Sequence, residues 1–227
     1  MAIARRRRKS QETTAEAIER EAIELFYKQG FRATSLRQIA DRVGIQVGSL
    51  YNHISAKGDL LFRIMEQVML DLLEEQRVVA GIDDVVERMR SLVYHHVRFH
   101  GERAQEVFIG NSELRSLGRA QRGRILSLRN EYEKLFQKEL EDGMAQGKFL
   151  PVDVKIVSYG LIAMATWVSS WYSPRGRLSL AEIADIYAGL ALRGIWNPVA
   201  GSLDEHLAKC RDAADPAAAL AVAPHPG

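Results

Sequence analysis

Three groups of residues in this chain have the types and spacing to do chemistry. His96 and His100 lie four apart in His95-His96-Val97-Arg98-Phe99-His100, a spacing that lets two imidazoles on one helix face chelate a divalent metal, with Asn111 or Glu113 as a third ligand. Ordinary surface or core histidines are the plainer reading of that pair, and neither a bound metal nor an organic cofactor is expected. Gln46, Val47, Gly48, Ser49, Tyr51, Asn52 and His53 crowd polar and aromatic groups into one short segment that runs on to Ser55 and Lys57. Tyr94, Phe108, Tyr132, Phe136, Trp167 and Trp171 are aromatic residues of the kind that line small-molecule pockets, though plain core explains any one of them as well. Catalytic signatures are missing: there is no phosphate-cradling GxxxxGK[ST], no GxSxG and no HExxH, so an enzyme is not expected.

These groups must be positioned by helices. Apolar residues recur at three and four spacing from about residue 11 to 197 with no period-two alternation, so the fold is expected to be all-α. Ala17, Ile18, Ala22, Leu25 and Phe26 stripe a first helix ending at Gly30, read as a left-handed cap. Ser35 caps a second helix from Leu36 to Val43, stopped at Gly44, and a very short third follows from about Gln46 to His53. Ser55 is expected to cap a long fourth helix reaching about Ala80. Glycine and proline breaks separate further helices, the last of which begins at Ser179 and stops before Pro198.

The turn Asp41-Arg42-Val43-Gly44-Ile45 between two short helices makes a helix-turn-helix candidate, whose second helix lies in the DNA major groove. Ile39, Ala40, Val43, Ile45, Leu50 and Ile54 would form its small core, leaving Gln46, Val47, Ser49, Tyr51, Asn52 and His53 to face DNA. Gly48 costs about 1 kcal/mol of helix propensity relative to Ala, which makes sense where a helix comes very close to its target's backbone. Lys57 adds a positive charge where free helix N–H groups suit a phosphate.

Bulk properties agree with this placement. Residues 1–60 hold eleven Lys/Arg against seven Asp/Glu, an excess of +4 in a chain whose net charge is only +2. The run Arg5-Arg6-Arg7-Arg8-Lys9 reads either as an arm tracking phosphates or as a solvated tail. Cys210 is the only cysteine, so no intrachain disulfide and no cysteine-based zinc cluster can form, which fits a reducing cytosol. Its plain reading is a bystander near a loose tail. The N-terminus lacks an apolar stretch behind its charges, and the uncharged run from Ile156 to Pro174 is too polar for a lone membrane span; a cytoplasmic protein without a membrane partner is expected.

The stretch FRATSLRQIADRVGIQVGSLYNHISAKGDLL resembles the DNA-binding domain of the TetR family of bacterial transcriptional repressors, over about fifty residues. The resemblance implies that Tyr51 and Lys57 contact phosphate, that Thr34 and Ser35 sit near the DNA backbone, and that Arg37 belongs to the same surface. His53-Ile54 departs from the aromatic pair commoner in the family, and Gly58 stands where an acidic residue is frequent. Residues beyond about 80 resemble the family's regulatory half, and ATWVSSWYSPRGRLSLAEIADIYAGLALRGI looks most like the branch responding to acyl-CoA thioesters of fatty-acid and steroid breakdown. That implies a ligand cavity among the middle helices and a homodimer formed through the last two.

Read from the residues, Ala163, Trp167, Ser170 and Trp171 on one helix and Ile183, Ile186, Tyr187 and Leu190 on another supply the small and apolar faces a helix-helix dimer needs. Trp167 and Trp171 alternatively line a pocket. Arg98, with several arginines between 103 and 129, is a candidate for the phosphates of a large anionic ligand. The organisation expected is a basic arm over 1–10, a helix-turn-helix domain over 11–56, a ligand-binding and dimerisation domain over 57–197 with 57–80 as connecting helix, and a disordered tail over 198–227. The function expected is a repressor released from a palindromic operator by a small effector, with an acyl-CoA thioester of fatty-acid or steroid catabolism as the candidate. A multidrug-type regulator sensing an uncharged apolar ligand and a ligand-independent DNA-binding protein are the alternatives.

Overall fold

The computed structural model describes residues 12–214, and the basic arm expected over residues 1–10 lies outside them. Every regular element among the described residues is helical; the one extended pairing is an isolated bridge between Phe149 and Trp196. The chain forms two compact units: one comprises residues up to Asp71 together with Arg103–Arg129, the other Leu72–Glu102 together with residues from Asn130 onward. The helix-turn-helix segment expected over 11–56 falls within the first unit, and the segment expected over 57–197 is shared between the two.

In the first unit, helix α1 (Thr14–Gln29) starts at a reciprocal capping box between Thr13 and Glu16. It ends at Gly30, whose φ of 83° suits glycine but whose ψ of 156° is not the left-handed cap expected. Helix α2 (Leu36–Val43) has a second capping box, Ser35 with Gln38, and stops at Gly44 in a true left-handed conformation, φ 82° and ψ 31°. Helix α3 (Val47–Leu50) is a single turn. Helix α4 (Lys57–Glu75) sends its first backbone bonds to the Ala56 carbonyl, so Ser55 lies one residue ahead of the cap it was expected to be. Helix α6 (Ala104–Ser112) and the first part of α7 (Arg119–Ala145) complete the unit. Its core joins Ile18, Phe26, Ile39, Leu50, Ile54 and Leu61 to Ile109 and Ile125. Arg42 ties α2 to α1, donating to Glu21 and Glu24.

In the second unit, α5 (Val85–Glu102) packs against α8 (Val154–Thr166), the short α9 (Val168–Trp171) and, most extensively, α10 (Leu180–Ile195). The starts of α5, α8 and α10 have side-chain caps: Asp84 accepts from Val86 and Glu87 N–H, Asp153 from Ile156, and Ser179 with Glu182 forms a capping box. Val93, Val97, Phe136, Ala188 and Leu192 are fully or almost fully buried. Arg88 Nε donates to Glu139 at 2.6 Å, Nη1 to the Ile82 and Asp83 carbonyls and Nη2 to Asp142, so this buried pair is well satisfied.

The expected disordered tail is corrected over its first part. A 3₁₀ turn at Pro198–Ala200 leads into helix α11 (Leu203–Ala214); residues past 214 lie outside the described part. Trp196 Nε1 donates to the Gly201 carbonyl, Leu203 is buried, and acidic Asp204 and Glu205 suit a helix N-terminus.

Candidate functional site

The first unit presents one polar face built on α2 and α3. Ser35, Arg37, Gln46, Ser49, Tyr51, Asn52 and His53 are all exposed, Tyr51 by 56%, while Leu50 and Ile54 between them are buried. That split follows from helix phase, because the turn that buries Leu50 turns its neighbours outward. Val47 is different from the expectation: it packs partly into the core. Gly48 has ordinary helical surroundings, and a Cβ built on it would meet nothing within 4 Å, so no internal contact demands a glycine there.

Thr34 and Lys57 do structural work. Thr34 is buried, 2% exposed, and its hydroxyl donates to the Gly30 carbonyl while accepting from Gln29 Nε2. Lys57 Nζ donates to the carbonyls of Phe31 at 2.7 Å and Thr34 at 2.5 Å and lies 4.4 Å from the centroid of the Phe31 ring. Burial lowers its pKa, opposed by the nearby Glu113 carboxylate. The same Glu113, a third-ligand candidate in the sequence, accepts from Phe31 N–H and Ser116 Oγ. The ammonium expected on a phosphate thus clamps the loop that leads into α2.

In the second unit, a buried polar cluster lies among apolar side chains. His96 Nδ1 is 2.7 Å from Tyr132 Oη and its Nε2 2.9 Å from Thr166 Oγ1; Gln76 Nε2 donates to Tyr132 at 3.4 Å. Gln76 Oε1 is buried with no hydrogen-bond partner among the described residues, an orphaned acceptor of the kind that requires explanation. Burial holds His96 neutral, far below its ordinary pKa, with the neighbouring His100 adding to the effect, and pushes Tyr132 up. Phe136 packs against His96 and Tyr132. Gln76 and Thr166 were missed in the sequence; Gln76 falls four residues after the buried Leu72, so helical phase already placed it inward.

The metal reading of His96 and His100 fails. Their rings stack face to face at 3.8 Å, both His96 nitrogens are engaged, and His100 Nδ1 bonds the His96 carbonyl. Parallel rings do not converge their lone pairs on one ion. The other ligand candidates are scattered. Phe108 is half exposed, edge-on to Tyr27 in the first unit; Tyr94 is half-buried beside His95; Arg98 pairs with Glu102 at 2.6 Å.

Along α8, α9 and α10 runs an exposed apolar face. Trp167 is 68% exposed, Ile156 65%, Ile186 56% and Leu190 55%, with Tyr159, Ala163, Ser170 and Trp171 also exposed and Tyr187 half-buried, its ring stacked near Trp171. Ile183 was expected on this face and is buried, since it points to the core side of α10. Ile156 and Tyr159 extend the stripe backward at the spacing of Ala163, Trp167 and Ser170, and were missed.

Residues 18–64 match the family described as bacterial regulatory proteins, tetR family, and residues 83–195 match the tetracyclin repressor-like C-terminal domain. The chain belongs to the TetR family of transcriptional regulators. It is 32% identical over 182 residues to the transcriptional repressor KstR2 of Mycolicibacterium smegmatis, covering 77% of this chain and 86% of that one. The solved structure of AibR in complex with isovaleryl coenzyme A and operator DNA aligns with a TM-score of 0.71 at 31% identity, covering 78% of this chain and 97% of that one. The ketosteroid transcriptional regulator KstR2 of Mycobacterium tuberculosis aligns with a TM-score of 0.75 at 26% identity, covering 82% and 96%. The protein is a TetR-type transcriptional repressor and not an enzyme; such repressors bind operator DNA and small-molecule effectors, typically as dimers. Among the described residues no helix is long and apolar enough to cross a membrane.

Proposed function

We propose that this repressor is released from its operator by an acyl-CoA thioester whose acyl group enters the second unit beside His96, Tyr132 and Gln76. The observation that carries the reading is the 31% identity across nearly the whole of AibR, a protein solved with isovaleryl coenzyme A and operator DNA together. The buried cluster supports it: neutral His96, Tyr132 and the orphaned Gln76 Oε1 set a few directional polar groups beside the buried Phe136 ring, the mix of apolar and sparse polar groups that small-molecule sites use.

In this reading Ser35, Arg37, Gln46, Ser49, Tyr51, Asn52 and His53 meet DNA, with Tyr51 on a phosphate and Gly48 letting α3 approach the backbone. Two copies joined through the apolar face of α8, α9 and α10 set the spacing of two such heads, which asks for a palindromic operator. The effector acts by population shift and lowers operator affinity only as far as it prefers the non-binding arrangement.

The test is calorimetric titration of the purified protein with a panel of CoA thioesters, their free acids and CoA itself, paired with an operator-release assay. At least one thioester binds and releases DNA, its acid and CoA alone do so far more weakly, and Gln76→Leu weakens binding without unfolding the protein. Release by uncharged apolar compounds alone would replace this reading with a multidrug-type sensor, and silence across both sets would leave DNA binding without an effector.

A further inference from the structure

Asp84, His206 and Cys210 come together in the second unit, although the sequence separates the first from the other two by more than a hundred residues. His206 and Cys210 are four apart on α11, so both project from one helix face toward the start of α5. His206 Nε2 lies 3.0 Å from Asp84 Oδ2, and the carboxylate oxygen, imidazole nitrogen and thiol sulfur all lie within 4.8 Å of one another. All three residues are half-buried.

Asp84 is held for this arrangement by its other oxygen. Oδ1 accepts the N–H groups of Val86 at 2.9 Å and Glu87 at 3.0 Å, which fixes the carboxylate plane and leaves Oδ2 aimed at α11. Outer bonds of this kind orient metal ligands. Around the group, the Trp196 ring sits 5.6 Å from the His206 ring and shields one side.

We infer that Asp84 Oδ2, His206 Nε2 and Cys210 Sγ form a site for a borderline divalent transition-metal ion of the Zn²⁺ type, which fastens α11 to the N-terminus of α5. Tetrahedral Zn²⁺ with bonds of about 2.0–2.3 Å places its ligand atoms about 3.3–3.8 Å apart, so closing the observed group onto an ion takes small side-chain movements. One oxygen, one nitrogen and one sulfur donor leave a fourth position for water. A thiolate and an imidazole select against Mg²⁺ and Ca²⁺, which take oxygen ligands. Binding displaces the Cys210 thiol proton to solvent, shifts the His206 ring proton from Nε2 to Nδ1, and replaces the His206–Asp84 hydrogen bond with two metal bonds. Without metal the same three groups satisfy one another, so α11 has a latched state of its own that the ion strengthens.

The experiment uses the untagged full chain, stripped with a chelator and kept reduced with a phosphine, and titrates it with Co²⁺ and then with Zn²⁺ against a chromophoric indicator. One Co²⁺ binds per chain with a thiolate-to-metal charge-transfer band in the near ultraviolet, and Zn²⁺ displaces it. Cys210→Ser, which leaves the His206–Asp84 contact in place, removes the band and weakens Zn²⁺ binding by more than about tenfold. His206→Ala weakens it likewise, and Zn²⁺ raises the melting temperature of the natural chain but not of Cys210→Ser. Absence of a charge-transfer band, or Zn²⁺ affinity unchanged by both substitutions, would overturn the site; operator binding is measured alongside, so that failure here is distinguished from failure of the repressor.

Discussion

Gly48 and Lys57 lie nine residues apart and illustrate opposite uses of a side chain. A Cβ on Gly48 meets nothing inside the protein, and replacing an exposed helical glycine with alanine ordinarily gains up to about 1 kcal/mol. Gly48→Ala is therefore expected to leave the protein equally or more stable and, with α3 placed against DNA as proposed, to weaken operator binding, because the methyl meets no described atom of the protein within 4 Å. Lys57 gives its ammonium to the Phe31 and Thr34 carbonyls, and charge-assisted bonds of that kind are worth about 1.5–3 kcal/mol when removed. Lys57→Met is expected to lower the unfolding midpoint and to weaken DNA binding with the salt slope of log K unchanged. A drop of about one in that slope would instead mark Lys57 as a direct phosphate contact. Chemical denaturation and operator titrations at three salt concentrations measure both variants together.

At the scale of the element, α5 carries two histidines whose burial makes stability depend on pH. Burial brings His100 down to about 4, and burial together with the neighbouring His100 holds His96 well below its ordinary value. Both are neutral in the folded state and take up a proton on unfolding wherever the pH is below their unfolded pKa of about 6.5. Stability is thus at its full value above pH 6.5 and falls as the pH drops toward 4, by about 1.4 kcal/mol per pH unit for each histidine. Urea midpoints at pH 7.5, 6.5 and 5.5 should fall slightly between the first two and more steeply to the third. His100→Gln should reduce that fall by about half, and a midpoint that does not move between pH 7.5 and 5.5 would mean that these histidines are not buried neutral.

Elements of this kind were legible where local rules dominate. Capping boxes and turn glycines gave α2 and the start of α10 away, and the outward phase of Ser49, Tyr51 and Asn52 around buried Leu50 followed from a single turn. What escaped depended on partners distant in sequence. Lys57 looks like a free surface cation until the carbonyls 23 and 26 residues earlier are brought to it. Phe108 looks like pocket lining until Tyr27 takes it to another surface. Helix α11 was read as disordered because its anchors, Trp196 and Asp84, lie outside its own composition.

For the whole molecule, the decisive surface is the apolar face of α8, α9 and α10. Two tryptophans, Ile156, Ile186 and Leu190, all of them exposed, make a patch that a monomer in water seldom keeps, and the partner we propose for it is a second copy of the chain. Around a two-fold axis each copy brings the same patch, so one arginine introduced there puts two like charges into a desolvated interface while removing the apolar area from both sides. Trp167→Arg and Leu190→Arg replace residues that are exposed within one chain, which leaves the protomer's own core untouched. Each variant is expected to keep its helical circular dichroism, to sediment as a monomer at concentrations where the natural chain is a dimer, and to lose operator affinity by two orders of magnitude or more. A lone protomer grips one half-site and neutralises about half the phosphates, so the slope of log K against log salt should fall by about half as well. Full affinity and slope in a variant that sediments as a monomer would sever DNA binding from dimerisation, and a variant that remains a dimer would assign this face to some other partner.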